Sequence, residues 1–331
     1  MTFDMRPAAR LLALIVGAGL VALGAGPGRA DAARIAVGTY VPGGVADPAA
    51  IDEFGRQVGR QPLVVVSYKD WTDSPFDPAE LTAVWNRGAV SLVTWEPWSF
   101  SDPGRRFPLR EIANGRYDDY LRGSARAAKA WGLPILLRFA HEMNGSWYPW
   151  GRAVDGNTAA DYRDAWRHVV EVFRQEGAGN VRWVWTPYVT NGGRLPFGRF
   201  YPGDRWVDWA GLDGFNWGAT RGKWQSFIDI FSSSYRTLVR ITRRPLIVAE
   251  TGSVELGGDK ARWLRRALGH ALPKLDHIRA VVWWDDVHPS GADWRVDTSE
   301  AALASLRSGL SHSRYRTGRK QLLATPPRLP R

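Results

Sequence analysis

The chain has no cysteine. That excludes disulfides, thiolate metal sites and a cysteine nucleophile, so an exported domain of this length must rely on packing. It has no G-x-G-x-x-G turn and no Walker motif, which removes the phosphate-cradling loops of nucleotide enzymes. It also lacks G-x-S-x-G, the nucleophile elbow of many serine hydrolases. His141-Glu142 begins like a zinc-protease motif, but Gly145 stands where the second histidine would be.

Long apolar runs are missing except near the start. Arg6 and Arg10 precede an uncharged stretch from Leu11 to Gly26, and Ala30-Asp31-Ala32 follows the small-x-small cleavage pattern. The stretch is short for a spanning helix and breaks into Gly and Pro. Residues 1–32 therefore read as a cleaved signal, and a secreted or periplasmic protein with no membrane contact afterwards is expected.

What is present begins with 331 residues, 44% of them hydrophobic, and 18 tryptophans. So many indoles suit an aromatic core, a surface that grips the apolar faces of sugar rings, or both. The net charge is +11. Removing residues 1–32 leaves about +10, which suits an acidic exopolysaccharide or cell surface as well as a merely solvated basic surface. Export argues against nucleic acid as a partner. Part of the excess sits in residues 312–331, where Arg314, Arg316, Arg319, Lys320, Arg328 and Arg331 occur in a Pro-containing tail expected to be disordered.

Eight short apolar runs alternate with longer amphipathic stretches. The runs are Ile35–Val41, Leu63–Trp71, Ala89–Trp95, Pro134–Ala140, Val181–Pro187, Trp209–Phe215, Leu246–Glu250 and Ala280–Trp284. Several are apolar almost throughout, as parallel strands covered on both faces are. Helices are expected over Pro48–Val58, Pro78–Asn86, Asp118–Trp131, Ala159–Gln175, Trp224–Ile241, Lys260–Leu272 and Ser299–Ser308. Residues 191–206 read as a long loop. The pattern predicts a single α/β domain over residues 33–311, a (β/α)₈ TIM barrel. A doubly wound sheet is second, since the Gly-rich turn it would want is absent.

In such a barrel the chemistry lies where the strands end. The fourth run opens into His141-Glu142-Met143-Asn144-Gly145 and the seventh into Glu250-Thr251-Gly252. A single glutamate there is as well explained as a salt-bridge partner, with Arg138 at hand. Two on one rim match glycoside hydrolysis, in which one carboxyl protonates the leaving oxygen and the other attacks carbon or activates water. Aromatic residues crowd the same strand ends: Trp71, Trp95, Trp98, Trp147, Tyr148, Trp150, Trp217, Trp283 and Trp284. Trp131, Trp166 and Trp263 lie in helices and read as core. No metal or organic cofactor is expected, because two carboxyls supply both proton and nucleophile. Asp285, Asp286 and His288 read better as a hydrogen-bonding loop than as a ligand set.

The segment His141-Glu142-Met143-Asn144-Gly145-Ser146-Trp147-Tyr148-Pro149-Trp150 resembles the strand-four signature of glycoside hydrolase family 26. That family contains β-mannanases, mixed-linkage β-glucanases and β-1,3-xylanases. Gly211 to Gly218, Ala249-Glu250 and Trp283 to Asp297 support the likeness. The resemblance implies a retaining endo-β-glycanase, a monomer with a polysaccharide partner. β-1,4-Mannan leads among substrates, and an exopolysaccharide or β-glucan is the alternative. A non-catalytic glycan-binding barrel is a further alternative. It implies Glu142 as acid/base and Glu250 as nucleophile, about 5–5.5 Å apart. It implies substrate-site places for Arg138, His141, Asn144, Trp147, Trp150, Trp95, Phe215 and Trp217, and for Trp283 as the platform beneath the sugar. One departure stands out. Many members carry a strand-six tyrosine that hydrogen-bonds the nucleophile, and Phe215 takes that position here. Asn216 or Tyr188 is the expected substitute donor.

Overall fold

The computed structural model describes residues 34–190 and 192–324. The expected signal at residues 1–32 lies outside them. Eight parallel strands pair in chain order and close into a barrel. They are β1 (Ala36–Tyr40), β2 (Val64–Asp70), β3 (Val90–Glu96), β4 (Ile135–Phe139), β5 (Val181–Trp185), β6 (Trp209–Asn216), β7 (Leu246–Ser253) and β8 (Ile278–Trp284). Each falls on one of the eight expected runs.

Four helices have the expected bounds: α1 (Pro48–Val58), α2 (Pro78–Asn86), α4 (Asp118–Trp131) and α5 (Ala159–Gln175). For α1, α2 and α5 the reason is local. Asp47 and Asp77 accept the backbone N–H of Ala49 and Ala79 ahead of a proline in the first turn, and Thr158 forms a capping box with Asp161. α6 (Phe227–Ile241) starts three residues late, because Ser226 caps it reciprocally with Asp229. α3 (Leu109–Ala113) is a single short turn after Pro108, too brief to show periodicity. The stretch from Lys260 is α7 (Lys260–Arg266), a π turn over Ala267–Ala271 and α8 (Leu272–Lys274). Pro273 has no N–H to give a regular helix, and the wider turn accommodates it. α9 (Glu300–Leu310) covers the last expected helix.

The core has two layers. Inside the barrel lie Val64, Val66, Val90, Leu92, Leu136, Val184, Ile247 and Val282. Between strands and helices lies a larger cluster that includes Trp71, Trp95, Phe139, Trp166, Phe173 and Trp283.

The tail corrects an expectation. Residues 312–324 are folded, with α10 at Arg319–Leu323. Leu322 joins the cluster inside the barrel. Tyr315 is 1% exposed and its hydroxyl donates to Leu268 O at 2.6 Å. Ile35 N donates to Arg314 O, and the Arg319 guanidinium sits 3.4 Å over the Trp85 ring. The many cations conceal a strap that contributes two apolar anchors to the closed end of the barrel.

Burial of Tyr315 and Leu322 is worth roughly 3–6 kcal/mol together. Truncation after residue 311 is therefore expected to lower Tm by roughly 5–15 °C in a thermal melt. A shift under about 1 °C would show that the strap contributes nothing to stability.

Candidate active site

Glu142 lies three residues beyond β4. The chain turns sharply there, with Ala140 at φ 44° and Glu142 at φ 52°, a left-handed conformation costly for side-chain-bearing residues. Surrounding bonds hold it: Ala140 N to Trp95 O, Glu142 N to Thr186 O, and Gly145 N to Glu142 O. The turn buries the Glu142 carboxyl, which accepts Trp147 Nε1 at 2.6 Å. A Cβ on Gly145 would collide with the Trp147 indole, so glycine lets that ring fold back over the loop.

Glu250 is placed by a bulge. Along β7, Ile247 and Ala249 face the barrel interior, so simple alternation would turn Glu250 outward. The pairing with β6 skips Ala249: Val248 pairs with Leu212 and Glu250 with Asp213. The extra residue re-aims Glu250 into the mouth. Its Oε1 accepts Arg138 Nη2 at 2.5 Å and Tyr68 Oη at 2.6 Å. Trp284 Nε1 donates in turn to the Tyr68 hydroxyl at 3.1 Å, and Tyr40 stacks on Trp284 at 5.0 Å.

Arg138 is wholly buried and all its donor groups are used. Nε and Nη2 donate to Thr94 Oγ1, and Nη1 donates to Asp213 at 3.2 Å. Burial opposes its charge, but the carboxylates of Glu250 and Asp213 outweigh that and raise its pKa. Glu142 has no such cation bonded to it. Burial, then the charges of Glu250 and Asp213, push its pKa well above the usual carboxyl range. One carboxyl is thus held protonated, while the other is paired to a buried cation.

A third carboxyl was missed by sequence reasoning. Glu96, at the end of β3, is 3% exposed and accepts Trp98 Nε1 at 2.8 Å. Burial raises its pKa to about 8. His141 lies between, with Nδ1 3.7 Å from Glu96 Oε1 and Nε2 3.9 Å from Glu250 Oε1. Burial, and then the charge of Arg138, hold His141 well below its usual pKa. Its ring packs on Tyr148 at 4.8 Å.

Other expected residues lie elsewhere. Trp95 points out of the barrel with Trp71, Phe139 and Tyr120, and its Nε1 donates to the Tyr120 hydroxyl. Trp283 also points outward, packs on Trp263, and donates to Trp294 O; Trp284 is the indole at the mouth. A slip of one residue along a strand reverses the face. Asn144 clamps backbone, bonding Tyr188 N and O and Leu195 O, rather than facing the mouth. Trp150 is buried, donates to His141 O and stacks on Tyr148 at 4.5 Å, so it positions the loop. Trp147 is 47% exposed and keeps its expected place beside Glu142.

Phe215 stacks on Trp294 at 4.0 Å, in a cluster with Trp217 and Trp284. Trp217 donates to the Tyr188 hydroxyl. Asn216 bonds Ser253, Gly218 and Gln225, and among the described contacts neither it nor Tyr188 reaches the Glu250 carboxyl. Tyr68 on β2 does. It alternates with Val64 and Val66 on the inward face, a signal hidden because both faces of that run are apolar. In the loop after β8, Asp285 Oδ1 accepts Val296 N and Asp286 Oδ1 accepts Val287 N.

The model of Glycosyl hydrolase family 26 matches residues 115–254. The chain is 37% identical to Endoglucanase H of Acetivibrio thermocellus over 287 residues, 84% of this chain and 31% of that protein. It therefore spans about a third of that relative's length. It is 28% identical to a mannan endo-1,4-beta-mannosidase of Bacillus subtilis over 260 residues, 72% of this chain and 67% of the relative. A modular endo-beta-1,4-mannanase from Cellulomonas fimi shares the fold, with a TM-score of 0.68 at 20% identity over 90% of this chain and 76% of that one.

Glu96 offers a test of the buried charge balance. Its pKa is raised from 4.5 to about 8 on folding. The unfolded chain thus releases this proton first, so its contribution to stability falls as pH rises through that window and levels off above it. In urea unfolding, wild type is expected to lose on the order of 3–4 kcal/mol more than Glu96→Gln between pH 5 and 8. Parallel pH profiles for the two proteins would refute the assignment.

Proposed function

The chain belongs to glycosyl hydrolase family 26, and on that premise we propose that it is a retaining endo-β-glycanase with Glu142 as acid/base and Glu250 as nucleophile. The observation that carries this reading is the unequal setting of two carboxyls at one mouth. Glu142 is buried with no cation bonded to it, whereas Glu250 takes the Arg138 ion pair and the Tyr68 hydrogen bond.

In the first step Glu142 protonates the leaving glycosidic oxygen as Glu250 Oε attacks the anomeric carbon. Glycosylation removes the charge on Glu250. That charge is one of the causes that raise Glu142, so Glu142 becomes the stronger acid and then, ionised, the base that activates water. Arg138 and Tyr68 fix the attacking carboxylate, and Trp147 fixes the acid. Trp284, open at the mouth and braced by Tyr40, is placed to stack beneath the sugar.

For the sugar, two readings compete. β-1,4-Mannan is supported by the mannosidase relative and the Cellulomonas fimi structure. A β-glucan is supported by Endoglucanase H, whose likeness is higher in identity and reaches more of this chain. β-Glucan is therefore the first substrate to test. The same proposal includes export, which rests on the basic start and apolar stretch of residues 1–32.

The test is reducing-end release by residues 33–331 on β-glucans, mannans, β-1,3-xylan and an acidic exopolysaccharide. Wild type is expected to release ends on one class and Glu250→Ala on none; no release by folded wild type on any polymer would favour the glycan-binding alternative. Proton NMR of early product is expected to show the β-anomer first, and an initial α-anomer would refute retention. Tyr68→Phe removes a hydrogen bond to a charged group, worth about 1.5–3 kcal/mol, so kcat should fall roughly 10- to 100-fold. Phe215→Tyr should change kcat far less. The reverse order would return the tyrosine role to strand six.

A further inference from the structure

At the closed end of the barrel, away from Glu142 and Glu250, a groove of about 480 Å³ lies between the start of β1, the start of β2 and the tail strap. Arg34, Arg60 and Arg316 line it, together with Gln61 and Gln321. Among the described residues no carboxylate lines it. Among the described residues none of the three arginines has a carboxylate within ion-pair distance, and the Arg60 and Arg316 guanidinium groups make no hydrogen bond.

The backbone that carries these arginines is tied down, and the Arg34 guanidinium is bonded as well. Arg34 Nη1 donates to Arg316 O at 3.2 Å, and Arg316 N donates to Ser313 O at 3.0 Å. Arg60 follows the end of α1, where its N–H donates to Gly55 O. Arg60 is half-buried beside Arg316; burial first, and then that like charge, lower its pKa. Gln321 Oε1 already accepts Thr317 Oγ1 and Gly318 N, so its amide has only donors left to offer. The groove thus presents arginine and amide donors with no carboxylate among the described residues that line it, a positive surface that would attract an anion.

We propose that this groove is a second, non-catalytic carbohydrate site that takes a carboxylated polysaccharide segment, a run of uronate sugars, on Arg34, Arg60 and Arg316. Guanidinium groups match carboxylates in paired, planar hydrogen bonds. The volume falls in the range of pockets that hold small organic ligands and exceeds what one simple oxyanion fills. The place on the barrel leaves the catalytic mouth free, so the enzyme would be held on an acidic polymer while it cuts a neutral one. The site stands whether or not the glycanase reading does.

The experiment measures binding of a short oligogalacturonate to residues 33–331 by calorimetry at low salt. A neutral oligosaccharide and inorganic phosphate serve as comparison probes. The variants are Arg60→Gln with Arg316→Gln, Gln321→Glu, and a charge-matched control on α7, Arg262→Gln with Arg266→Gln. The double groove variant is expected to bind at least tenfold more weakly. Gln321→Glu should also weaken binding, because it puts a negative charge in the groove. The control should change affinity less than twofold, and hydrolysis of neutral glycan should be the same in all. Equal loss in the control would overturn the proposal in favour of bulk charge. Equal affinity for phosphate would overturn it in favour of a simple anion site, and no binding by wild type would end it.

Discussion

The Arg138 guanidinium is the tie on which the site depends. From β4 it reaches Thr94 on β3, Asp213 on β6 and Glu250 on β7. It therefore fixes the relative heights of four strands at the mouth and the charge of the residue proposed to attack the substrate. A lysine would not replace it, because a point charge on a flexible stem cannot hold three partners in a plane. Removing one member of such a buried set leaves uncompensated charge, at a cost of about 3–5 kcal/mol. Fold and chemistry thus share one side chain.

Irregular backbone aims both glutamates. The left-handed residues Ala140 and Glu142 follow β4, and the extra residue Ala249 sits just before Glu250. Regular continuation of either strand would point the glutamate elsewhere. The barrel tolerates these departures because the neighbouring strands hold the turn by backbone bonds, Trp95 O and Thr186 O among them. Here strain is explained by the direction it gives a side chain.

The same geometry explains what could be read from the sequence. Strand count was legible from the eight apolar runs, and the starts of α1, α2 and α5 because proline, aspartate and threonine mark them through local hydrogen bonds. The two glutamates were legible because a carboxyl at the end of an apolar run is conspicuous. Facing was not. A strand covered on both sides shows no alternation, so Trp95 concealed Glu96, Trp283 concealed Trp284, and Tyr68 was lost among valines. Asn144 looked like a ligand and is a backbone clamp, because nothing in one sequence distinguishes an amide that bonds sugar from one that bonds a carbonyl. The strap failed for a different reason: counting its cations gave no weight to Tyr315 and Leu322, which decide where it goes.

The distribution of protons follows from counting charges at the mouth. Four carboxyl groups, Glu96, Glu142, Asp213 and Glu250, are buried there around one guanidinium. His141 cannot add a second cation, because burial and Arg138 keep it neutral. Were all four carboxyls ionised, the cluster would carry three uncompensated negative charges away from water, which a protein interior does not sustain. Some of the four must keep protons. Burial raises Glu142, Glu96 and Asp213 alike, Asp213 even though it meets Arg138, whereas Glu142 and Glu96 bond only indoles. An indole N–H steadies a carboxyl but brings no net charge. The proton on Glu142 is therefore a consequence of having one cation for four acids. In the proposed mechanism it becomes releasable when Glu250 loses its charge to a covalent bond. The proposed acid and the proposed nucleophile are thus set apart less by their own loops than by which of them reaches the arginine.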